Sequence, residues 1–343
     1  MIPPGIKRLI GQAKAQNATD VHVCAGAPIL MRVGQDLVPA GQGVVTPELS
    51  ERIASELLSP DQLEQFHKQL DYDVMVSDEQ GRYRVNISYN NRAVGVVIRI
   101  LPEEARSLDE LGLPPVVKEL AKLTKGLILI TGSTSQGKTS TMSAIIHEIN
   151  THQRRHIVTI EDPVENAHIN RMSIVRQREV GRDTQSFYTG LRAALRQDPN
   201  VIAIGEMRDY ETIKTALTAA ETGVLVLSTL HIISIDKMIE RLLSYVPTED
   251  QGHLRFLLAG AVQAVIHQEL IPAVDGSKRV ACEILLATGA VRNVIRTRDG
   301  FMLRNIIHTG GRHGMISMRQ SIDELLAQGA VAPEVAQGVL VNY

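Results

Sequence analysis

The sequence predicts an α/β protein in which a small α+β domain precedes a core built on a mainly parallel, doubly wound sheet. Strand and helix patterns alternate along the middle of the chain, which is typical of such a sheet. The uninterrupted apolar run Leu127–Ile130 indicates a core strand that is buried on both faces. The expected organisation is an N-terminal domain at 1–101, a linker at 102–117, an α/β core at 118–271, and a hairpin with a helical region at 272–343.

The composition is that of an ordinary globular protein and argues against several classes of function. Apolar residues make up 44% and charged residues 22%, and the net charge of −2 gives no general attraction to nucleic acid or acidic membranes. Aromatic residues make up only 3%, so we expect no direct nucleic-acid partner. Cys24 and Cys282 are too few for a four-cysteine zinc site, and a disulfide between them is one hypothesis. Because there is no apolar run of about 18 residues, we expect a cytoplasmic protein without membrane insertion.

The N-terminal domain combines short strands with helices. Helical spacing occurs at Ile6–Gln16, Thr46–Leu58 and Pro60–Leu70. Strand patterns occur at Asp20–Cys24, Pro28–Val33, Tyr72–Val76, Tyr83–Ser88 and Ala93–Ile100. Arg84 and Arg99 lie on the last two strands, which we expect to pair, and each is either a rim arginine or a phosphate ligand. The polar, proline-punctuated segment Leu101–Pro115 is typical of a linker, with one short helix at Ser107–Leu111.

A phosphate-binding loop is the most specific motif of the chain. Gly132 to Thr139 reads Gly-x-x-x-x-Gly-Lys-Thr between the buried strand and a helix expected at Thr141–Asn150. Backbone N–H groups of such a loop surround a phosphate chain, Lys138 would neutralise the β- and γ-phosphates, and the Thr139 hydroxyl would bind Mg²⁺. A flexible Gly/Ser loop is the alternative. The predicted nucleotide-binding residues are Gly132, Ser133, Thr134, Ser135, Gln136, Gly137, Lys138, Thr139 and Ser140.

Polar groups follow three of the predicted core strands. The strand patterns occur at His156–Ile160, Met172–Gln177, Val201–Ile204 and Val224–Thr229, with helices expected at Thr184–Arg196 and Tyr210–Thr222. Ligands of doubly wound sheets lie beyond the carboxyl ends of the strands. Glu161 with Asp162, Glu206, and His231 therefore stand where phosphates would lie.

These groups suit the hydrolysis of a triphosphate. The reaction needs a carboxylate that holds Mg²⁺ or its water, and a group that orients the attacking water. We expect Glu206 to be central to catalysis, together with Glu161, Glu165 and His231, and we expect Asp162 and Glu206 to be metal ligands beside the threonine hydroxyl. Which carboxylate holds the metal and which the water is open. The alternatives are a solvated strand end, a helix start in the acidic cluster, and a structural histidine.

The C-terminal third is predicted to be mostly helical. Helical patterns occur at Ser234–Val246, Gln251–Leu270, Ala290–Arg296, Phe301–Ile307, Ser317–Gln328 and Pro333–Val341. The segments 270–273 and Arg279–Leu286 predict a hairpin around Asp275 and Gly276. Arg292 and Arg296 share one helix face, which is either available to a partner or a solvated basic surface.

Over essentially its full length, the chain resembles the type IV pilus retraction ATPases, a branch of the secretion ATPases. The similar segments are Asp20–Val23, Arg82–Asn86, Ile98–Pro102, the acidic box Thr159–Glu165, Gln177–Val180, the Walker B region Asp198–Asp209, the His box Ser228–His231, and Ala290–Arg296. The resemblance implies a PAS-like N-terminal domain, a RecA-like ATPase core and a homohexameric ring. It also implies that Arg84 and Arg99 reach the nucleotide as the domains close, and that ATP and Mg²⁺ are the cofactors.

The implied function is that of an ATP-hydrolysing motor for pilus retraction and twitching motility. An inner-membrane platform protein and other pilus machinery would be its partners, which would place it peripherally at the inner face of the cell membrane. The open alternatives are an assembly ATPase for pilus extension or type II secretion, a nucleic-acid translocase, and a nucleotide-gated accessory subunit with weak hydrolysis.

Two departures from the family pattern concern the turnover rate. The family loop usually reads Gly-Pro-Thr-Gly-Ser-Gly-Lys, whereas this chain has Ser133, Ser135 and Gln136. A residue other than glycine at position 135 restricts the backbone if that position needs a positive φ. Val224 replaces the first histidine of the His box, which leaves His231. We expect nucleotide binding to be retained.

Overall fold

The computed structural model describes residues 2–34, 36–101, 104–297, 300 and 302–341. The chain divides between Glu103 and Glu104 into two compact units. Each unit is built on its own sheet with helices packed against it, so the α/β fold class expected from the sequence is confirmed. Pro102 and Glu103 of the predicted linker, and Phe301 at the start of a predicted helix, lie outside the described residues.

The first unit is a six-stranded antiparallel sheet with the strand order β3-β2-β1-β6-β5-β4. Its strands are β1 Asp20–Cys24, β2 Pro28–Val33, β3 Asp36–Val44, β4 Asp71–Asp78, β5 Gly81–Asn90 and β6 Ala93–Ile100. Its helices are α1 Pro4–Ala15, α2 Pro47–Leu57 and α3 Pro60–Gln69. The sequence did not predict β3, because Pro39, Gly41 and Gly43 give it the composition of a loop, which only an edge strand tolerates.

Alternation along β5 separates the core of this unit from its charged face. Tyr83, Val85 and Ile87 are buried and pack in one cluster with side chains of the three helices. The intervening Arg84 and Asn86 therefore project from the opposite face of the sheet, since successive side chains of a strand alternate.

The second unit is a seven-stranded sheet with the order β13-β12-β7-β11-β10-β8-β9, in which only β13 is antiparallel to its neighbour. Its strands are β7 Gly126–Thr131, β8 His156–Glu161, β9 Ile174–Glu179, β10 Val201–Glu206, β11 Leu225–Leu230, β12 Val262–Pro272 and β13 Lys278–Leu286. Its helices are α4 Val116–Ala121, α5 Lys138–His152, α6 Phe187–Ala194, α7 Tyr210–Glu221, α8 Met238–Leu243, α9 Gln251–Ala261, α10 Gly289–Thr297, α11 Met302–Thr309, α12 Met318–Ala327 and α13 Pro333–Leu340, and short 3₁₀ helices lie at Leu195–Gln197, Ile235–Lys237, Thr248–Asp250 and Gly311–His313.

The predicted helix Gln251–Leu270 is wrong in its second half. Helix α9 ends at Ala261, and the chain continues directly as β12, the longest strand described. Buried β-branched residues such as Val262, Val265 and Ile266 favour a strand, and this strand lies between β7 and β13. The boundary expected between residues 271 and 272 therefore runs through a strand, and the hairpin β12–β13 is part of the core sheet.

The segment expected to be a linker is instead packed on the second unit. From residue 104 onward the chain belongs to that unit, and Leu108 and Leu113 are buried in its core beside Val117. Residues 108–112 form a turn rather than the short helix expected at Ser107–Leu111. Cys24 and Cys282 are both free thiols, so the disulfide hypothesis is wrong. Among the described residues, no helix has the length and apolar character needed to span a membrane.

Candidate active site

The loop after β7 has the backbone geometry of a phosphate cradle. Gly132 and Gly137 adopt φ values of +148° and +79°, and a Cβ at position 132 would lie 2.6 Å from the Gln268 carbonyl oxygen. Glycine is therefore required at Gly132 for both conformation and space. Ser135 also has a positive φ of 63°, the restricted case considered for this position from the sequence. Helix α5 begins at Lys138, so the first N–H groups of this helix are directed towards the loop.

The ammonium of Lys138 lies inside this loop. The side chain is 6% exposed, and Nζ donates to the carbonyl oxygens of Gly132 at 2.9 Å and Ser133 at 2.6 Å. Burial lowers the pKa of Lys138, and the negative charge of Glu206 opposes that shift. A phosphate that enters the cradle thus meets a cation held by neutral carbonyl groups, which it can replace as the acceptor.

His231 connects this lysine to Glu206. Lys138 Nζ lies 3.3 Å from His231 Nδ1, and His231 Nε2 lies 3.7 Å from Glu206 Oε2. An ammonium can only donate, so Nδ1 is the acceptor and the neutral ring carries its proton on Nε2, towards the carboxylate. Burial and the charge of Lys138 lower the pKa of His231, which favours this neutral form. The structure therefore brings the predicted lysine, histidine and glutamate together at one edge of the sheet.

The sheet places these groups through its parallel register. Strand β10 lies between β8 and β11, and its pairing with β11 shifts between Ile204 and Glu206. Such a bulge redirects a side chain at the end of a strand. Hydroxyl groups of β11 fix the bulge, since Ser228 Oγ donates to the Ile204 carbonyl at 3.0 Å and Thr229 Oγ1 to the Gly205 carbonyl at 2.5 Å.

Arg208 also holds Glu206. Its Nε lies 2.5 Å from Glu206 Oε2, the oxygen that faces His231. The arginine follows the strand by two residues, so the same short segment supplies the carboxylate and its counter-ion. Sequence analysis did not assign a role to Arg208, although its position beside the strand end was the available signal.

The acidic box divides into a buried and a more exposed part. Glu161, at the end of β8, is buried and accepts from Thr159 Oγ1 at 2.6 Å and Gln177 Nε2 at 3.0 Å. Asp162 is exposed and Glu165 half-buried in the loop that follows. No helix begins there, so the alternative of a helix start is wrong. Among the described residues, no group of three or more His, Cys, Asp or Glu side chains could hold a metal ion by itself.

Arg84 and Arg99 form a charged site in the first unit. They are direct cross-strand partners, which confirms the expected pairing of their strands. Arg99 Nε lies 2.7 Å from Asp20 Oδ1, and Arg84 Nη2 lies 3.4 Å from Asp73 Oδ2. Burial raises the pKa of Asp20, but hydrogen bonds from Arg99 and Thr19 outweigh it and leave the pKa below its ordinary value. With Asn86 and Val97, these four side chains line a concavity of about 280 Å³.

The two arginines of α10 both make contacts with α9. Arg292 Nη1 donates to the Gly260 carbonyl at 2.7 Å and also to the Ala259 carbonyl, at the end of α9. A guanidinium at this place satisfies carbonyls that lack an intrahelical partner. Arg296 lies over the Phe256 ring, 5.8 Å from its centroid. Arg292 is therefore half-buried and held within the chain, whereas Arg296 stays exposed, and whether this face meets a partner or solvent stays a prediction.

Comparisons with known proteins agree with this geometry. The family described as type II/IV secretion system protein matches residues 1–336. The type IV pilus retractation ATPase PilT of Pseudomonas aeruginosa is 37% identical over 333 residues, covering 97% of this chain and 97% of that protein. A twitching motility protein of Neisseria gonorrhoeae is 43% identical over 257 residues, covering 75% of this chain and 69% of that protein.

Among solved structures, the crystal structure of the pilus retraction motor PilT with bound ADP has a TM-score of 0.89 at 36% identity, and covers 96% of this chain and 95% of that chain. These relatives confirm the resemblance that the sequence motifs indicated. The match of the family over nearly the whole chain, together with these similarities, identifies the protein as a member of the type II/IV secretion system protein family.

Proposed function

We propose that this chain is a Mg²⁺-dependent ATPase that works as a homohexameric motor for type IV pilus retraction. The observation that carries the proposal is the connection from Lys138 in the phosphate loop through His231 to Glu206. A hydrolase of this class needs a cation for the phosphates and a carboxylate beside them, and here both lie at the carboxyl edge of the parallel strands. The relatives that carry the names retraction ATPase and twitching motility protein support the biological setting.

Residues 132–140 are proposed to bind the triphosphate through backbone N–H groups and the Lys138 ammonium. Thr139, Asp162 and Glu206 are proposed to hold Mg²⁺, directly or through water. A hydroxyl and two carboxylates fit this ion, because Mg²⁺ prefers oxygen ligands and is commonly bound by one or two carboxylates together with phosphates and water. When bound, the ion would neutralise charge on the β- and γ-phosphates.

Glu206 is the proposed acceptor for the proton of the attacking water. Its Oε2 already faces the His231 Nε2 proton and Arg208, so the carboxylate is oriented before substrate arrives. His231 would keep the carboxylate in place through Nε2 while its Nδ1 accepts a hydrogen bond from the lysine that binds the phosphates. Glu161 and Glu165 are proposed to assist at the same edge of the sheet.

Arg84 and Arg99 are proposed to contact the phosphates in the working assembly and to stabilise negative charge that develops in the transition state. An arginine that acts in this way contributes strongly to the rate of phosphoryl transfer. The proposed partners are further copies of this chain in a hexamer and a platform protein of the inner membrane with other pilus machinery. This places the motor in the cytoplasm, at the inner face of the cell membrane.

A phosphate-release assay on purified protein tests the activity. Wild-type protein should release phosphate from ATP–Mg²⁺, and Glu206→Gln should retain nucleotide binding while turnover falls by about 100-fold. Glu324→Gln, which removes an exposed carboxylate from α12, is the matched control and should hydrolyse at the wild-type rate. Unchanged hydrolysis by the Glu206 variant would contradict its role.

The biological role is tested separately. Mass measurement with and without ATP–Mg²⁺ should show six subunits in the assembled state. Expression in a piliated bacterium that lacks its retraction motor should restore twitching, and the Glu206→Gln variant should not. Restored pilus assembly without twitching would favour an extension motor instead.

A further inference from the structure

Strand β12 continues beyond the end of its neighbour β7. The last paired residues are His267 and Thr131, whereas β12 extends to Pro272. The backbone N–H of Leu270 therefore lacks a partner on β7. Gln136 of the phosphate loop supplies one, because its Oε1 accepts from Leu270 N at 2.6 Å. A side chain of the loop thus takes the place of the missing strand.

The contact is reciprocal. Gln268 Nε2 donates to the backbone carbonyl of Gln136 at 2.6 Å, and the Gln268 side chain is 1% exposed. Gly132 and Gly137 also approach Gln268 closely, since a Cβ at these positions would lie 2.6 Å from its carbonyl oxygen and 3.3 Å from its Nε2. We call Gln136, Gln268 and Leu270 the loop clasp. It attaches the loop to the part of β12 that extends beyond β7.

The residue before Gln136 is strained. Ser135 has a φ of 63°, in the left-handed region that disfavours a side chain. Its side chain is exposed, so burial does not maintain this conformation. The next residue, in contrast, is fixed at both its side chain and its carbonyl by the clasp.

We propose that the loop clasp is a positioning device that holds the phosphate loop in its binding conformation and thereby maintains the left-handed turn at Ser135. Gln136 acts through the backbone of the loop. A cradle held in its bound shape loses less conformational entropy when the ligand binds. The inference rests on the proposed function, because it assigns the clasp to the binding of a nucleotide.

Gln136→Met tests the clasp, because methionine has a similar length and shape but cannot accept the Leu270 hydrogen bond well. The Kd for a fluorescent ADP analogue and the KM for ATP should rise about five- to tenfold, as expected for one lost hydrogen bond that leaves a partly buried N–H without its partner. The kcat at saturating ATP should stay within about twofold. A merely structural role would lower the melting temperature without this division between KM and kcat.

Gln320→Met is the matched control. Gln320 Oε1 accepts from Ser317 N at 2.9 Å, so the substitution removes the same type of hydrogen bond from the start of α12. Stability should fall slightly, and both Kd and KM should be unchanged.

Ser135→Gly tests whether the loop clasp maintains the strained left-handed backbone at position 135. Glycine adopts positive φ without cost, so adding Ser135→Gly to Gln136→Met should restore most of the affinity that Gln136→Met loses. Additive effects of the two substitutions would overturn the compensation, and wild-type affinity in Gln136→Met would overturn the clasp.

Hydrogen exchange of the Leu270 amide keeps the test independent of the nucleotide. Exchange should be at least about tenfold faster in Gln136→Met than in wild type or in Gln320→Met. Unchanged exchange would overturn the clasp, even if the protein bound no nucleotide. Failure of wild-type protein to bind ATP or ADP would instead overturn the proposed function.

Discussion

The two units hold their charged groups in different ways. In the second unit, Lys138 is almost fully buried in the phosphate loop, and burial is the main influence on its pKa. In the first unit, the Arg99 side chain is 59% exposed and is paired with Asp20, whose pKa is lowered by that pairing. The first arrangement is a cradle with a cation inside it, and the second is a pair of surface arginines balanced by carboxylates.

The difference lies in what an incoming phosphate would have to displace in each unit. The Lys138 ammonium is held by carbonyl groups, which a phosphate can replace without separating an ion pair. Arg84 and Arg99 would have to leave Asp73 and Asp20 before they could bind a phosphate fully. A phosphate at Lys138 would therefore replace neutral acceptors, whereas a phosphate at Arg84 and Arg99 would replace charged carboxylates.

Lys138→Ala should have the largest effect on binding. Loss of charge-assisted hydrogen bonds to two phosphate groups amounts to about 4 kcal/mol, so nucleotide affinity should fall about 1000-fold. Calorimetric titration with ADP and ATP measures this affinity. Affinity within tenfold of wild type would show that the loop, rather than its cation, carries binding.

Arg99→Ala should act on turnover instead. We expect kcat to fall about 100-fold while the affinity for ADP changes less than about threefold, because the role proposed for this arginine is in the transition state rather than in ground-state binding. Steady-state phosphate release and ADP titration separate the two. Arg52→Ala on α2, whose side chain is 68% exposed, is the control, and it should leave kcat unchanged. Equal losses in kcat and in ADP affinity would remove the distinction between the units.

Glu283→Gln tests whether burial is the main influence on the pKa of a second charged group in this unit. Glu283 is 7% exposed on β13, and burial raises its pKa to about 7. The folded state therefore holds this proton more tightly than the unfolded state. Its contribution to stability is fully present below about pH 4.5 and is lost as the pH rises through about 7.

The Glu283→Gln variant should not lose this stability as the pH rises, because glutamine does not titrate. Between pH 5 and pH 8, the wild type should lose about 2 kcal/mol more of its free energy of unfolding than Glu283→Gln, judged by urea denaturation. Glu324→Gln serves again as an exposed control and should follow the wild-type curve. Parallel curves for wild type and Glu283→Gln would contradict the effect of burial.

Asp20→Asn should give the smallest change and the opposite pH response. The lowered pKa of Asp20 means that its stabilisation is present above about pH 4 and is lost as the pH falls further. At pH 7 the variant should lose about 1 kcal/mol of stability, since the arginine partner is mostly exposed. Asp73→Asn, with a longer contact of 3.4 Å, should change stability very little. Equal losses in both variants would contradict this ranking.

Local patterns predicted most of the fold. Strands β1, β2 and β6 have the predicted bounds, because their apolar alternation is clear and turn residues end them. The strand β12 was mistaken for helix because a continuous apolar run has no period of its own, and only its place between β7 and β13 decides it. The segment at 104–117 looked like a linker because polar residues and prolines interrupt its apolar pattern, and because Leu108 and Leu113 find their partners far along the chain.

The parts of the candidate site that belong to a local sequence motif or to a strand end were predictable. The phosphate loop and the strand ends at Glu206 and His231 follow from spacing and from the geometry of parallel strands. The contacts of Gln136 with Gln268 and Leu270 could not be predicted, since they join residues more than a hundred positions apart. Asp20 was part of a recognised signature, but its pairing with Arg99 required the register of β1 and β6.

The direct junction of α9 and β12 has a mechanical consequence. Ala261 ends the helix and Val262 begins the strand, so no loop between them can absorb a displacement. Arg292 of α10 donates to the Ala259 and Gly260 carbonyl groups beside this junction, and Gln136 accepts from the Leu270 backbone amide near the far end of β12. Strand β12 therefore connects the contact with α10 directly to the contact with the loop at 132–137.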